Sequence, residues 1–452
     1  MTGAIKTFTW AEVEQSALKK TTVDDVENGG PALMVIHNKV YDIGAGTGFF
    51  RFHPGGAVAI SQIGKDASGA FEVFHTENAE SMMSDFYVGD LAPKEVPKPN
   101  PFKEDVNELR NKLIAMGAFK SNKLYYVWKL VSTFSICAAS AAILINYGRT
   151  STLAVIAAGS LMAIFWQQSG WLAHDFLHHQ VFKNRFYNNV VGYIVGNVWQ
   201  GFSVSWWKDK HCTHHSVPNV HGEDPDINTM PFLAWSEHAL ELFHDLKDAD
   251  AARFFVNYQA TLFFPILGVA RLAWCFSSVR FNMGDKLLIS PTVAFWEKST
   301  LAAHYIWLLS LTFTFCTPLL GLLFLFVAEC GCGLLLAFVF TVNHNGMPVY
   351  TTEESKKYDF YELQIRTGRD VYSNLFSDWF TGGLNYQVEH HMFPTLPRHN
   401  FYMSQGLVEE LCKKHNVPFH KTTLVGGTGE ILARLAQLSN AANKIRRIEK
   451  KN

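Results

Sequence analysis

From Leu301 to Val342 the chain is almost free of charge, with Glu329 the exception, and the run breaks only at Thr317-Pro318. Divided there, it gives two apolar segments, Leu301–Pro318 and Leu319–Val342, joined by a short hairpin. A bilayer core about 30 Å thick takes roughly 20 helical residues to cross, and only a segment that satisfies its own backbone groups can do so. Two earlier runs, Leu124–Tyr147 and Ser151–Ala173, have the same length and character. This is a chain built around a membrane. Phe254–Phe276 is long enough, but it carries Pro265 and Arg271 and lies between Arg253 and Arg280. The shorter, Gly-bearing Asn188–Val204 reads as an interfacial or re-entrant helix.

Charge sets the expected topology. Lys120 and Lys123 precede the first run, Lys183 and Arg185 follow the second, and only Arg149 lies between them. By the positive-inside rule the outer ends of this pair face the cytosol. Histidine clusters follow the second run and the last one. If they build one site, an even number of crossings must separate them. Leu301–Pro318 and Leu319–Val342 supply two, which leaves Phe254–Phe276 along the membrane surface and predicts four spans. No apolar stretch follows a basic start in the first 30 residues, so no cleaved signal peptide is expected and the N-terminus should be cytosolic.

The rest of the chain is ordinary in charge. Residues 1–92 read as a compact polar domain. Residues 93–123 are a linker, with four prolines between Ala92 and Pro101 and then a charged helical segment, Phe102–Phe119. The membrane domain covers 124–420, and 421–452 reads as a polar cytosolic tail, basic near Lys444–Lys451. Lys plus Arg is 39 against 40 for Asp plus Glu, so there is no basic excess for nucleic acid. Seven scattered cysteines offer no disulfide framework and no paired CxxC site.

The chemistry lies with 19 histidines. Three sets belong to the membrane domain: His174-Asp-Phe-Leu-His178-His179, His211-Cys-Thr-His214-His215 and Gln387-Val-Glu-His390-His391. Residues three and four apart share a helix face, so each set is a short comb of imidazoles. Random placement gives roughly 0.03 HxxHH matches in a chain of this composition. Imidazole suits zinc, copper, iron and nickel. One tetrahedral ion uses four ligands at most, so this many histidines predict two metals, and iron is the one that activates dioxygen with nitrogen ligands. His344, just beyond the last run, is at the depth to join them. His179 could replace or support His178 on a bulged turn, and Asp175 could accept an imidazole N–H. Asp224 and Asp226 read as helix caps or as partners of a nearby Arg or Lys. Trp171, Trp206 and Trp207 could line a buried tunnel or belong to an interfacial belt.

A second set lies in the polar domain. His53-Pro54-Gly55-Gly56 projects a histidine from a tight turn whose glycines let backbone approach a flat ligand. His75 follows among Phe71, Val73 and Phe74. Two axial histidines fill both faces of a haem, which then carries electrons and does not bind dioxygen. His37 reads as a plain strand or turn residue.

On these motifs residues 30–90 resemble a cytochrome b5 domain, with His53 and His75 at the positions of the haem ligands. Residues 124–420 resemble a membrane fatty-acid desaturase with three histidine boxes. The N-terminal fusion, and Gln387 in place of the first histidine of the third box, resemble the front-end acyl-lipid desaturases. Trp166–His174, Gly201–His215, Asn219–Asp226 and Gly382–Gln387 look most like fungal delta-6 members. One departure is the loop Ile43–Phe52, longer and richer in glycine than the family pattern.

The resemblance implies a multi-domain fold: a small α+β haem domain, then an all-α membrane domain with four transmembrane helices and a cytosolic histidine-rich cap. It implies oxygen-dependent introduction of a cis double bond, delta-6 on linoleoyl or alpha-linolenoyl chains. Delta-5, delta-8, sphingolipid long-chain-base desaturation and hydroxylation remain as alternatives on the same scaffold. His174, His178, His211, His214, His215, His390 and His391 would be catalytic, holding two iron ions with His179, His344 and Gln387; His53 and His75 would hold haem b. Implied partners are an acyl-lipid or acyl-CoA substrate, O2, the membrane and an NADH-dependent cytochrome b5 reductase. The implied location is the endoplasmic reticulum membrane, multi-pass, with both termini and the active site cytosolic. A mere electron carrier would leave the three boxes unexplained.

Overall fold

The computed structural model of the chain describes residues 5–449 except 54, 76–77, 242–249 and 285–289; Pro54 of the expected haem turn and the last three residues of the expected tail lie outside them. The N-terminal domain is α+β. Strands β1 (Thr7–Phe8), β2 (Leu33–Ile36), β3 (Lys39–Asp42) and β4 (Tyr87–Leu91) form one sheet in the order β1-β4-β3-β2. β2 and β3 are an antiparallel hairpin turned by His37 and Asn38, at φ 51° and 64°, the left-handed pair that a two-residue hairpin needs. Alternation along β2 divides its side chains between two small cores. Leu33 and Val35 pack with Val13 and Val40, while Met34 and Ile36 face Ile43, Phe49, Ile63 and Phe71. Two helices open the domain, α1 (Trp10–Ser16) and α2 (Val23–Asn28), each started by a capping box. Helix α3 (Ser68–Phe74) runs directly into His75.

The linker ends in α4 (Pro101–Ala115), which starts at Asn100 with proline in its first turn and buries Phe102, Val106, Leu109 and Leu113. Membrane-length helices follow: α5 (Lys123–Tyr147) and α6 (Thr152–Leu177). Next come α7 (Arg185–Gly192), continued by a π-helical turn Tyr193–Gln200, and α8 (Val204–Ser216). The later helices are α9 (Asp250–Gly268), α10 (Ala270–Met283), α11 (Pro291–Phe315) and α12 (Pro318–His344). By length and composition α5, α6 and α12 could cross a membrane; α9 and α10, bent by 62° at a short break, pass the same test only as a pair. Helix α11 begins ten residues before the expected run and is not among them, because His304 and several hydroxyl residues dilute its apolar character. Its buried Glu297 accepts hydrogen bonds from Asn197, Ser203 and the Ser205 amide, tying it to the π-helical turn.

The remaining elements close the cap: α13 (Phe360–Thr367), α14 (Gln387–Met392), α15 (Tyr402–His415) and α16 (Leu424–Glu449). The expected solvated tail is instead the 26-residue helix α16. Ile431, Leu435, Leu438 and Ala442 make an apolar stripe on it, and all four are buried. Ile431 and Leu435 pack with Phe263 and Leu267 of α9, and Leu438 and Ala442 with Val256 of the same helix. Polar average composition concealed the stripe.

The N-terminal domain sits against the cap. A Cβ on Gly69 would lie 2.5 Å from Cβ of Phe360, so only glycine lets α3 approach α13 this closely. Tyr361 Oη donates to Glu72 at 3.1 Å, Lys356 pairs with Glu14 at 2.9 Å, and Lys65 pairs with Glu223.

Candidate metal centre

Four elements deliver the imidazoles. Helix α6 supplies His174 from its last turn and stops at Leu177, with His178 as its C-cap. Helix α8 supplies His211, His214 and His215, α14 supplies His390 and His391, and His344 is the last residue of α12. All eight are buried. They sort into two groups whose ligating atoms lie within 4.8 Å of one another: His174, His178, His211, His215 and His390, and then His214, His344 and His391. Neighbours on one helix divide between the groups. His211 and His215, four apart, go to one and His214 to the other, because successive residues point about 100° apart.

The spacing fits metal ligation. His390 Nε2 lies 3.1 Å from His174 Nε2 and 3.0 Å from His215 Nε2, which is itself 3.1 Å from His211 Nε2. His344 Nε2 lies 3.2 Å from His214 Nε2 and 3.0 Å from His391 Nε2. Imidazole bonds of about 2.1 Å at right angles on one ion set their nitrogens about 3 Å apart. Hydrogen bonds at Nδ1 orient the second group. His214 Nδ1 donates to Asp224 at 2.8 Å, His344 Nδ1 to the Thr367 carbonyl at 3.0 Å, and His391 Nδ1 to Gln364 Oε1 at 2.7 Å. Each neutral ring therefore carries its hydrogen on Nδ1, and three lone pairs converge at Nε2. A cation can take those lone pairs together, while the Gln387 amide lies within reach of one of them, His344 Nε2, at 2.7 Å. Burial among like neighbours holds His215, His390 and His391 well below the usual histidine range, so they stay neutral, whereas the Asp224 and Asp226 carboxylates outweigh burial at His214 and raise it.

A cavity of about 880 Å³ opens onto the histidines. His174, His211, His214 and His344 line one part, and the rest is largely apolar, with Phe202, Leu267, Ala273, Leu336 and Phe340. Trp171, Trp206 and Trp207 also line it, which favours tunnel over belt. Trp171 anchors through its Nε1 to the Phe380 carbonyl at 3.0 Å, and Trp207 stacks on His211 at 4.4 Å between ring centres.

The haem pocket shows the same economy. His53 and His75 face each other with ring centres 5.8 Å apart and planes 32° apart. With about 2 Å from nitrogen to metal on each side, two rings on opposite faces of one ion stand about 6 Å apart. Phe49 stacks on His53 and Phe71 on His75, while His75 Nδ1 lies 3.2 Å from the Phe71 carbonyl, which aims the other nitrogen outward. A Cβ on Gly55 would lie 2.7 Å from His53 Cε1, which accounts for glycine in the turn. Burial and the neighbouring His75 push His53 down to about 4, so it is neutral.

Residues 150–423 match the family model described as fatty acid desaturase, and residues 9–92 match the cytochrome b5-like heme/steroid binding domain. The chain belongs to the fatty acid desaturase family. This desaturase is 40% identical over 417 residues to the acyl-lipid (9-3)-desaturase of Physcomitrium patens, covering 90% of this chain and 76% of the relative. It is 36% identical to the delta(8)-fatty-acid desaturase of Euglena gracilis and 33% to the delta(6)-fatty-acid desaturase of Caenorhabditis elegans, each over 87% of this chain and 93% of the relative. It is therefore a front-end desaturase, an oxidoreductase with a fused haem-binding domain, and its paired histidine clusters fit two irons.

Three expectations for the desaturase change. His179 joins neither group of converging nitrogens: helix α6 has already ended, and His179 sits at φ 59°, which turns it away from the comb. Asp175 lies 3.9 Å from His174 Nδ1 and instead pairs with the buried Arg398. Asp224 is neither a cap nor a cation's partner but the acceptor that orients His214, and only Asp226 meets a cation, Lys210 at 3.1 Å. Gln387 meets the second group through its amide nitrogen, 2.7 Å from His344 Nε2, while its oxygen accepts from Asn343, so it turns a donor and not a ligating atom toward the histidines. Sequence reasoning passed over Gln364 and Thr367, which no motif marks.

Proposed function

We propose that the desaturase inserts a cis double bond at the delta-6 position of linoleoyl or alpha-linolenoyl chains. One iron would lie among His174, His178, His211, His215 and His390, the second among His214, His344 and His391, with Gln387 beside it. The observation that carries the two-iron part of this reading is the convergence of eight buried histidines in two groups at one end of a largely apolar cavity. Irons held there would supply what no side-chain acid or base can: reduction of dioxygen to water with two electrons and two protons, coupled to loss of two hydrogens from an unactivated methylene pair.

The protein's share is placement. The apolar walls bind the acyl chain and exclude water, and Trp171 and Trp207 hold it against the histidines. Asp224, Thr367 and Gln364 keep three imidazoles in the ligating tautomer. His53 and His75 would hold haem b, and tethering that domain keeps its effective concentration high, about mM for a short linker. In the arrangement we favour, four spans place both termini and the cap on the cytosolic side of the endoplasmic reticulum, where an NADH-dependent reductase recharges the haem. Lys120 and Lys123 before α5 and Lys183 and Arg185 after α6, against Arg149 alone between them, support a cytosolic side for the outer ends of that pair.

The test is expression in a host that makes no polyunsaturated lipids, with linoleic acid supplied. A new double bond at carbon 6 is the expected product. A bond at carbon 5, or a bond at carbon 8 when the two-carbon-longer eicosadienoic acid is fed instead, moves the regiochemistry, and an added oxygen with no new double bond makes the protein a hydroxylase.

A further inference from the structure

Phe74, the residue before His75, turns its ring edge-on to His215, with centres 6.3 Å apart and planes at 78°. His215 belongs to the five-histidine group. From the start of α7, Arg185 Nη2 donates to the Phe74 carbonyl at 2.8 Å, so the backbone joining Phe74 to His75 is held from the membrane domain. Next to it Val73 is buried in one cluster with Tyr361 and Met392, and Met392 follows His391 directly. A side chain covalently adjacent to a haem-ligand candidate thus touches a metal-ligand candidate in another domain.

We propose that Phe74 is the positioning residue that couples the two cofactor sites. It sets His75 against His215, and its ring is the matter through which each electron crosses, with Arg185 clamping the joint. The inference rests on the two-iron reading above. Each crossing oxidises a ferrous haem to ferric and delivers one electron to the metal centre. Two crossings supply the two electrons that, with the two hydrogens from the acyl chain and two protons, take dioxygen to two waters. Bulk docking is already served by Gly69 against Phe360 and by the Lys65–Glu223 pair, and neither of these contacts lies beside both ligands.

The experiment uses the full-length, haem- and iron-loaded enzyme. The haem is reduced anaerobically with dithionite, then mixed with oxygenated buffer and linoleoyl lipid in detergent, and its reoxidation is followed by Soret absorbance. Removing the ring opens a gap between the two ligand sites, so Phe74→Ala is expected to slow reoxidation severalfold and Phe74→Trp to restore most of it. Haem content, midpoint potential and the yield of the carbodiimide link between Lys65 and Glu223, read by peptide mass spectrometry, should stay as in the wild type. Unchanged reoxidation, or slowing that follows loss of the Lys65–Glu223 link, overturns the proposal. If Phe74→Ala fails to hold haem, Phe74→Leu, which keeps bulk without an aromatic ring, makes the same comparison. A His391→Ala control separates the two readings: if wild-type haem is reoxidised no faster than in that variant, it is the two-iron reading that fails.

Discussion

Asp224 Oδ2 lies 2.8 Å from His214 Nδ1 and takes the Asn219 backbone N–H at 2.7 Å through the same atom. The carboxylate is fully buried, so its position is set by these donors and by the Asp226 amide on its other oxygen. Orienting acceptors of this kind are worth about 10–100-fold in metal affinity. Asp224→Ala should lower iron retention by that factor with the haem spectrum unchanged, measured by elemental analysis after dialysis against a chelator. Full iron retention would remove Asp224 from the metal site.

His178 and His179 make a matched pair for testing the end of α6. His178→Ala removes a member of the five-histidine group and should abolish product and lower bound iron. His179→Asn keeps a residue that tolerates positive φ and should leave the iron-to-protein ratio as it was. Equal iron loss in both variants would return His179 to the metal site.

Gly382 sits at φ 63°, and a Cβ there would lie 2.3 Å from Cγ of Trp171. Gly382→Ala combines backbone strain with overpacking of a buried ring that lines the cavity, a cost of about 2–5 kcal/mol. The expected readout is a lower Tm in detergent. Activity per folded molecule should fall too, since Trp171 loses its place.

Arg271 of α10 stacks on Trp166, with its guanidinium carbon 3.6 Å from the ring centre, and pairs with Glu329 of α12. Removing one partner of a buried pair costs about 3–5 kcal/mol, whereas replacing both with apolar groups is far milder. Glu329→Leu should therefore destabilise the protein more than Arg271→Met/Glu329→Leu does, by thermal unfolding in one detergent. The reverse order would make the pair incidental to packing.

Ala273 lines the cavity from α10. Ala273→Phe fills space there without touching a histidine and should depress turnover of 18-carbon chains more than that of shorter ones, read by competition between fed acids. An unchanged ratio would place the acyl chain elsewhere.

Much of the site is visible in the primary structure because it is local. HxxHH and HxxxH are ligand combs whatever surrounds them, and the depth of His344 at the end of an apolar run pointed to it across more than a hundred residues. The tail is harder to read: the stripe of Ile431, Leu435, Leu438 and Ala442 is local too, but the average polarity of the segment outweighs its period. Asp224 is ambiguous in sequence, since a carboxylate in a loop has no mark that separates a cap from a histidine's partner.

By itself the sequence determined the materials: membrane-length helices, a two-histidine haem domain, and enough imidazoles for two metals. Only the tertiary structure decided how they are shared. It brought His390 to His174 and His215, dropped His179, gave Asp224 to His214, and brought Phe74 to His215 from a separate domain. Spacing along a helix is dictated by 100° per residue and can be read from the chain. Which atoms meet across elements depends on where each helix stops and on packing between segments far apart in sequence, and no short-range pattern encodes that.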